Sequence, residues 1–244
     1  MVRGRNFNRY FIDFENDPKY IEYDRKLLHR PREERLFTCP RKLLIRQTGD
    51  RIISTIDLNK LYAWKSVFVI LSDENKLYLE YLLALLNSST INYYYQKIVG
   101  EGGRVFAQVK GINLDKLPIK IIPVSKQILF KEKVDLILKL NLELKESLNK
   151  FQKRLKTDYN LLKLSSSIEN FYDLSPSDFF SELKKLKIEL KAVEKDDLQE
   201  YFESHKNKIL TLKSNIDKTD KEIDQMVYEL YGLTNEEIKI VEAN

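Results

Sequence analysis

Two long heptad seams in the second half of the chain constrain its fold more than any other feature. From Ser125 to about Tyr159, Ile137, Asn141, Leu144, Leu148, Phe151 and Leu155 recur at alternating spacings of four and three. From Asp196 to Leu230 the same alternation carries Leu198, Phe202, His205, Ile209, Leu212, Ile216, Thr219, Ile223, Met226 and Leu230. An apolar stripe of this length needs a partner along all of it, so the spacing predicts two long helices folded back as a coiled-coil hairpin. Gly232 and Pro176 are the one glycine and one proline of residues 125–244, few breakers for such helices. Asn141, His205 and Thr219 interrupt the seams as polar positions that set register at some cost in stability. Between the seams, Leu174-Ser175-Pro176-Ser177 breaks the pattern and starts a shorter helix with Phe179, Phe180, Leu183 and Leu186 on its apolar face. After them, Gly232 reads as a helix C-cap and Thr234 with Glu237 as a capping box for a last helix.

The first half has a different texture. Leu43, Leu44 and Ile45 precede a Thr48-Gly49-Asp50 turn signal and Ile52, Ile53 and Ile56 follow it, which predicts a hairpin over 37–57. Tyr62, Trp64, Val67, Val69 and Ile70 favour a third strand within 61–71. Leu79, Leu82, Leu83 and Leu86 then follow helical spacing, and Ser88 or Ser89 can cap a second helix that ends at the glycines Gly100, Gly102 and Gly103. Arg104 to Lys110 suits a short strand, and Pro118 and Pro123 an extended exit. The expected fold class is α+β: a mixed α/β domain over residues 1–124, then a long-helix coiled-coil arm over 125–244.

Charge separates the halves as well. Residues 1–124 carry 21 Lys and Arg against 14 Asp and Glu, whereas residues 125–244 carry 21 against 23. Eleven of the chain's arginines lie in the first half and one, Arg154, in the second; guanidinium forks match phosphate oxygens and guanine edges bidentately. One cysteine, Cys39, excludes an internal disulfide framework, and with His29 and His205 it does not make a closed zinc site. No apolar run approaches the roughly 20 residues that cross a bilayer. The expected setting is cytoplasmic, with no membrane partner.

Catalytic motifs are missing where chemistry would require them. An adenine methyltransferase needs an Asn-Pro-Pro-Tyr or Asp-Pro-Pro-Tyr turn to hold the flipped base and a glycine-rich loop for the methyl donor, and neither occurs. The nearest match to a magnesium-dependent nuclease is Pro176, Asp178 and Glu182-Leu183-Lys184, which reads instead as a solvated helix face with ordinary i, i+4 pairs. No catalytic residue, metal site or resident cofactor is therefore expected. DNA binding has better candidates. Arg41, Lys42, Arg46, Gln47, Thr48 and Arg51 crowd the hairpin turn, where cations beside Gln and Thr suit phosphates and base edges together. Arg104, Gln108 and Lys110 flank small residues in a second loop, and Arg3, Arg5, Arg30 and Arg32 form a third, amino-terminal group; a soluble hairpin tip, a structural turn and an interdomain linker are the plain alternatives for the three.

The order of these features resembles a known family. The hairpin around Gln47-Thr48-Gly49-Asp50, the run Leu82-Leu83-Ala84-Leu85-Leu86-Asn87-Ser88 and Lys116-Leu117-Pro118-Ile119 resemble the TaqI-like C-terminal specificity domain of adenine-N6 DNA methyltransferases. Arg3-Gly4-Arg5-Asn6 with Arg9-Tyr10, and Asp220 through Ile238, resemble the two ends of the corresponding region in type IIG restriction-modification enzymes. The resemblance implies a noncatalytic reader of double-stranded DNA, either cut from a longer enzyme or free-standing. It would serve a methyltransferase catalytic domain in cis or in trans. S-adenosylmethionine, and magnesium if a nuclease is attached, would belong to that parent enzyme. Two other readings stay open: a coiled-coil interaction or homodimerisation module with an incidental basic surface, and a complete small nuclease.

Overall fold

A computed structural model describes residues 1–13, 19–100 and 107–243. In chain order the elements are β1 (Phe7–Asn8), β2 (Phe11–Ile12), α1 (Arg35–Thr38), β3 (Lys42–Arg46), β4 (Ser54–Asp57), β5 (Val67–Ile70), α2 (Leu79–Asn87), α3 (Ser89–Val99) and α4 (Gly111–Leu114). Then come α5 (Val124–Asp158), α6 (Ser166–Glu169), α7 (Pro176–Lys185), α8 (Ala192–Tyr231) and α9 (Asn235–Glu242). This is a mixed α/β chain with its sheets in the first part and its long helices after them. Two compact units emerge, one of residues 1–138 with 219–244 and one of residues 139–218. The sequence break expected at 124/125 coincides with the start of α5; the units divide further on, within α5 and again within α8.

In the first unit, β3 is the middle strand of a three-stranded antiparallel sheet ordered β4-β3-β5. Leu43, Leu44 and Ile45 are buried without remainder because β3 is covered on both faces, which is why its sequence is a continuous apolar run and not an alternation. The third strand is shorter than the 61–71 stretch expected for it. Leu61–Ser66 are instead held as a loop, in which the Asp57 carboxylate accepts from the Leu61 N–H at 2.8 Å and the Asn59 N–H at 2.7 Å.

Helix α2 also departs from its pattern. Its spacing predicts one apolar face, yet every residue from Leu79 to Asn87 is buried, as in a helix enclosed on all sides. The polar residue that ends the run has a structural task. Asn87 Oδ1 accepts from the Ser54 N–H (3.0 Å) and Oγ (2.8 Å), and its Nδ2 donates to Ser54 O (3.1 Å). At the outer edge of β4, where among the described residues no further strand pairs, this amide side chain and the Tyr10 N–H, donating to Ser54 O at 3.2 Å, satisfy the Ser54 backbone. Asn92 of α3 repeats the device, accepting from the Ile52 N–H at 2.7 Å. Ser88 caps α3 through the Ile91 N–H, and Gly100 closes it at φ 63°. Residues 219–244 belong to the same unit: Asp224 accepts from the Ser89 N–H (2.8 Å) and Oγ (2.7 Å), Asp220 pairs with Arg9 at 2.7 Å, and Val227, Tyr228 and Val241 are buried.

The second unit is helical throughout its described elements, with an aromatic core. The Phe151 ring lies 3.6 Å from that of Phe171, Phe179 stacks on Phe202 at 4.4 Å, and all four are fully buried. Ser175 caps α7 above Pro176, as the sequence break predicts. His205 is half-buried beside Tyr201 and Phe151 and makes a 3.1 Å contact from Nδ1 to Tyr201 O; burial, with Lys150, Lys208 and Arg154 nearby, lowers its pKa.

Candidate nucleic-acid interface

The hairpin tip is built by three segments distant in sequence. Where β3 ends, the Gln47 N–H donates to Ser66 O (3.0 Å) and Gln47 O accepts from the Val109 N–H (2.8 Å). The Gly49 N–H donates to Ala107 O at 3.0 Å, and Thr48 forms an isolated antiparallel bridge with Gln108. Gly49 adopts φ 132°, a region that favours glycine. The part of the strand expected at 104–110 that falls on described residues is thus one bridge beside the turn; residues 104–106 lie outside the described residues, Arg104 among them.

The third segment comes from the amino-terminal motif. Arg46 turns its guanidinium inward: Nε donates to Gly4 O (2.8 Å), Nη2 donates to Phe7 O and to Asn8 Oδ1 (2.9 Å), and the group lies over the Phe7 ring at 5.7 Å. Gly4 suits this closeness, because a Cβ there would stand 3.0 Å from Arg46 Cγ and 3.5 Å from Thr48 Oγ1, and the Arg46 side chain would have to give by a few tenths of an ångström. Asn6 Oδ1 accepts from the Arg3 N–H at 2.9 Å and closes the turn. Arg5, Thr48, Arg51, Gln108 and Lys110 remain exposed around this assembly. On the three joined segments these positions, the rim, offer three cations, a hydroxyl and an amide, the donors and acceptors suited to phosphates and base edges.

Other sequence-predicted residues are used inside the fold. Lys42 is 0 % exposed, its ammonium 2.7 Å from Asp57 and donating to Phe37 O at 2.8 Å. The pair faces the core, so this cation does not reach the rim. Arg41 bonds Glu80 and pairs with Glu74 at 3.3 Å. Arg32 donates to the carbonyls of Val67 (3.0 Å), Ala63 and Trp64 (3.1 Å) and fastens the loop ahead of β5; burial lowers its pKa and that of Arg46. Arg3 stands over the Trp64 ring at 5.5 Å, while Arg30 is exposed and has no described bond to the tip. Asn87 and Asn92 have no signal in the sequence beyond their position beside an apolar helix run. Of the carboxylates weighed for metal chemistry, Asp178 accepts from Ser175 Oγ (2.6 Å) and Glu182 pairs with Lys185 at 2.5 Å. Among the described residues no group of His, Cys, Asp and Glu has metal-site geometry, and no helix is long and apolar enough to cross a membrane.

Comparison with known families divides the chain near the same place as its change in texture. Residues 1–119 match the model of the TaqI-like C-terminal specificity domain. Residues 124–227 match a domain of unknown function (DUF8810). No curated protein matches the chain.

Proposed function

We propose, from the premise that residues 1–119 form a TaqI-like C-terminal specificity domain, that this chain is the noncatalytic DNA target-recognition part of an adenine-N6 methyltransferase or type IIG-like restriction-modification enzyme. The observations that carry the reading are the Thr48–Gln108 bridge and the Arg46–Gly4 clasp, which join three segments with exposed cations, a hydroxyl and an amide within the matched region. Arg5, Arg51 and Lys110 contact phosphates and set the register of the duplex; Thr48 and Gln108 offer hydrogen bonds to major-groove edges. Arg46 contributes by holding the amino-terminal turn in place and not by touching DNA.

On this reading the methyl donor, S-adenosylmethionine, binds a separate catalytic domain in cis or in trans, and the helices of residues 125–244 dock or space that partner. The test is selection from a random duplex library with the full chain at about 100 mM salt, a range in which phosphate contacts still contribute strongly. A short enriched motif is the expected result. Arg51→Ala with Lys110→Ala should reduce the slope of log K against log salt by about 2, since each phosphate contact contributes roughly 0.9. Thr48→Ala with Gln108→Ala should leave that slope alone and relax the motif. Unchanged binding in both double variants would overturn the assignment of this rim. A concentration-dependent mass without DNA binding would favour the dimerisation module.

A further inference from the structure

The first unit contains a cavity of about 420 Å³, within the roughly 300–1,000 Å³ typical of small-ligand sites. Its lining includes Tyr23, Phe37, Tyr62 and Trp64, and, on the solvent-exposed side that serves as its mouth, the exposed Arg30 and Lys65. Phe37 and Tyr62 stack at 4.9 Å with Tyr23 packed against both, at 5.6 and 5.0 Å. Arg32 lies over Phe37 at 5.0 Å with its donors directed to backbone carbonyls, so it stiffens the site. Among the described residues no aspartate or glutamate lines the cavity; Glu34 meets it only indirectly, by accepting from the Tyr62 hydroxyl at 3.1 Å. Aromatic faces with cations at the opening and no lining carboxylate match a flat π-system that carries negative charge.

Two further observations connect this cavity to the rim. Val2 pairs with Ala63, donating to Tyr62 O (2.7 Å) and accepting from the Trp64 N–H (2.8 Å), so the cavity wall and the Arg3-Gly4-Arg5 turn lie on consecutive residues. Arg3 covers one side of the Trp64 ring, yet the side chain stays 37 % exposed. At the mouth, Arg30 holds φ 52°, a conformation uncommon outside glycine and one that recurs at ligand sites.

We propose that this cavity takes a nucleotide as an unstacked base with its phosphate, the base against Tyr62 and Trp64 and the phosphate toward Arg30 and Lys65. The inference rests on the DNA-recognition reading for its source, a nucleotide displaced from the bound duplex; a free nucleotide shares the chemistry. Trp64 is the chain's one tryptophan, so its emission reports stacking directly. The full chain is titrated with deoxyadenosine monophosphate, with a paired duplex, and with the same duplex carrying one bulged adenine, following Trp64 emission and the anisotropy of labelled DNA.

The expected result is quenching by the bulged duplex and about tenfold tighter binding than to the paired one, the order of one stacked base. Trp64→Leu should abolish that preference, Trp64→Phe should restore it, and Arg30→Ala with Lys65→Ala should weaken it. Quenching by the mononucleotide alone makes the source a free nucleotide and keeps the site. DNA binding with unchanged Trp64 emission in every titration overturns the cavity and leaves the DNA reading standing. No DNA binding overturns that reading, and the mononucleotide then decides the cavity by itself.

Discussion

The two compact units satisfy their interiors by different means. The first joins short strands, loops and helix ends from distant parts of the chain, and it is fastened by the buried polar bonds Lys42 to Asp57, Asn87 to Ser54 and Asn92 to Ile52 and by the half-buried bond Asp224 to Ser89. The second places its polar backbone inside helices and fills its centre with the rings of Phe151, Phe171, Phe179 and Phe202. Helices satisfy their own N–H and C=O groups, whereas a small sheet leaves edges that something else must pair. Buried polar side chains therefore accumulate where the backbone is irregular, which is also where a recognition surface can be assembled from several loops.

The comparison breaks most severely on deletion of residues 219–244. Ile223, Val227, Tyr228 and Val241 are buried in the first unit, and at roughly 1.5–3 kcal/mol for each such side chain their loss rivals the whole stability of an ordinary domain, about 5–15 kcal/mol. Hydrogen exchange should show β3, β4 and β5 unprotected while α7 keeps its protection; equal protection of the sheet in the truncated chain would refute this. Lys42→Met comes next. It strands the Asp57 carboxylate in the core, at a cost of about 3–5 kcal/mol, readable as a lower denaturation midpoint of the first unit.

Asn87→Ala leaves the Ser54 N–H without its partner, while Ser54 O keeps the Tyr10 N–H at 3.2 Å, and should cost about 1–3 kcal/mol, with faster exchange at the Ser54 amide as its signature. Phe151→Leu probes the contrasting core and should cost about 1–2 kcal/mol, in a transition that leaves the sheet amides unchanged. The smallest effect belongs to pH. Burial holds the His205 imidazole below its ordinary 6.5, so the unfolded chain takes up that proton first. Its contribution is complete above pH 6.5 and shrinks as pH falls toward the folded-state value. Thermal unfolding of the second unit should lose more on acidification in the native chain than in His205→Gln, and identical losses would remove His205 from the account.

Much of the local structure was legible in advance. The helices α5 and α8, the Ser88, Ser175 and Thr234 caps and the Gly100 stop are all encoded within a turn or two of chain. The pairing of β3 with β4 followed from the Thr48-Gly49-Asp50 turn for the same reason. The candidate interface was half legible. Its turn and its second loop stand out in composition, but the bridge between Thr48 and Gln108 and the clasp of Arg46 on Gly4 have no local signal. Nor has the sorting of cations, since Arg51 and Lys42 stand in equally basic surroundings and only burial distinguishes them.

By itself, then, the order of residues determined periodicity, capping, turn chemistry and the basic bias of the first half, because each of these is decided by neighbours within one or two turns. Tertiary structure alone decided which arginines and lysines became internal fasteners. It also decided that residues 219–244 complete the first unit and that an aromatic cavity forms between Tyr23 and Trp64. Such outcomes depend on partners as far apart as Arg9 and Asp220, 211 residues along the chain. The desolvation and pairing that fix a charge's role arise only once those distant groups share the same low-dielectric surroundings.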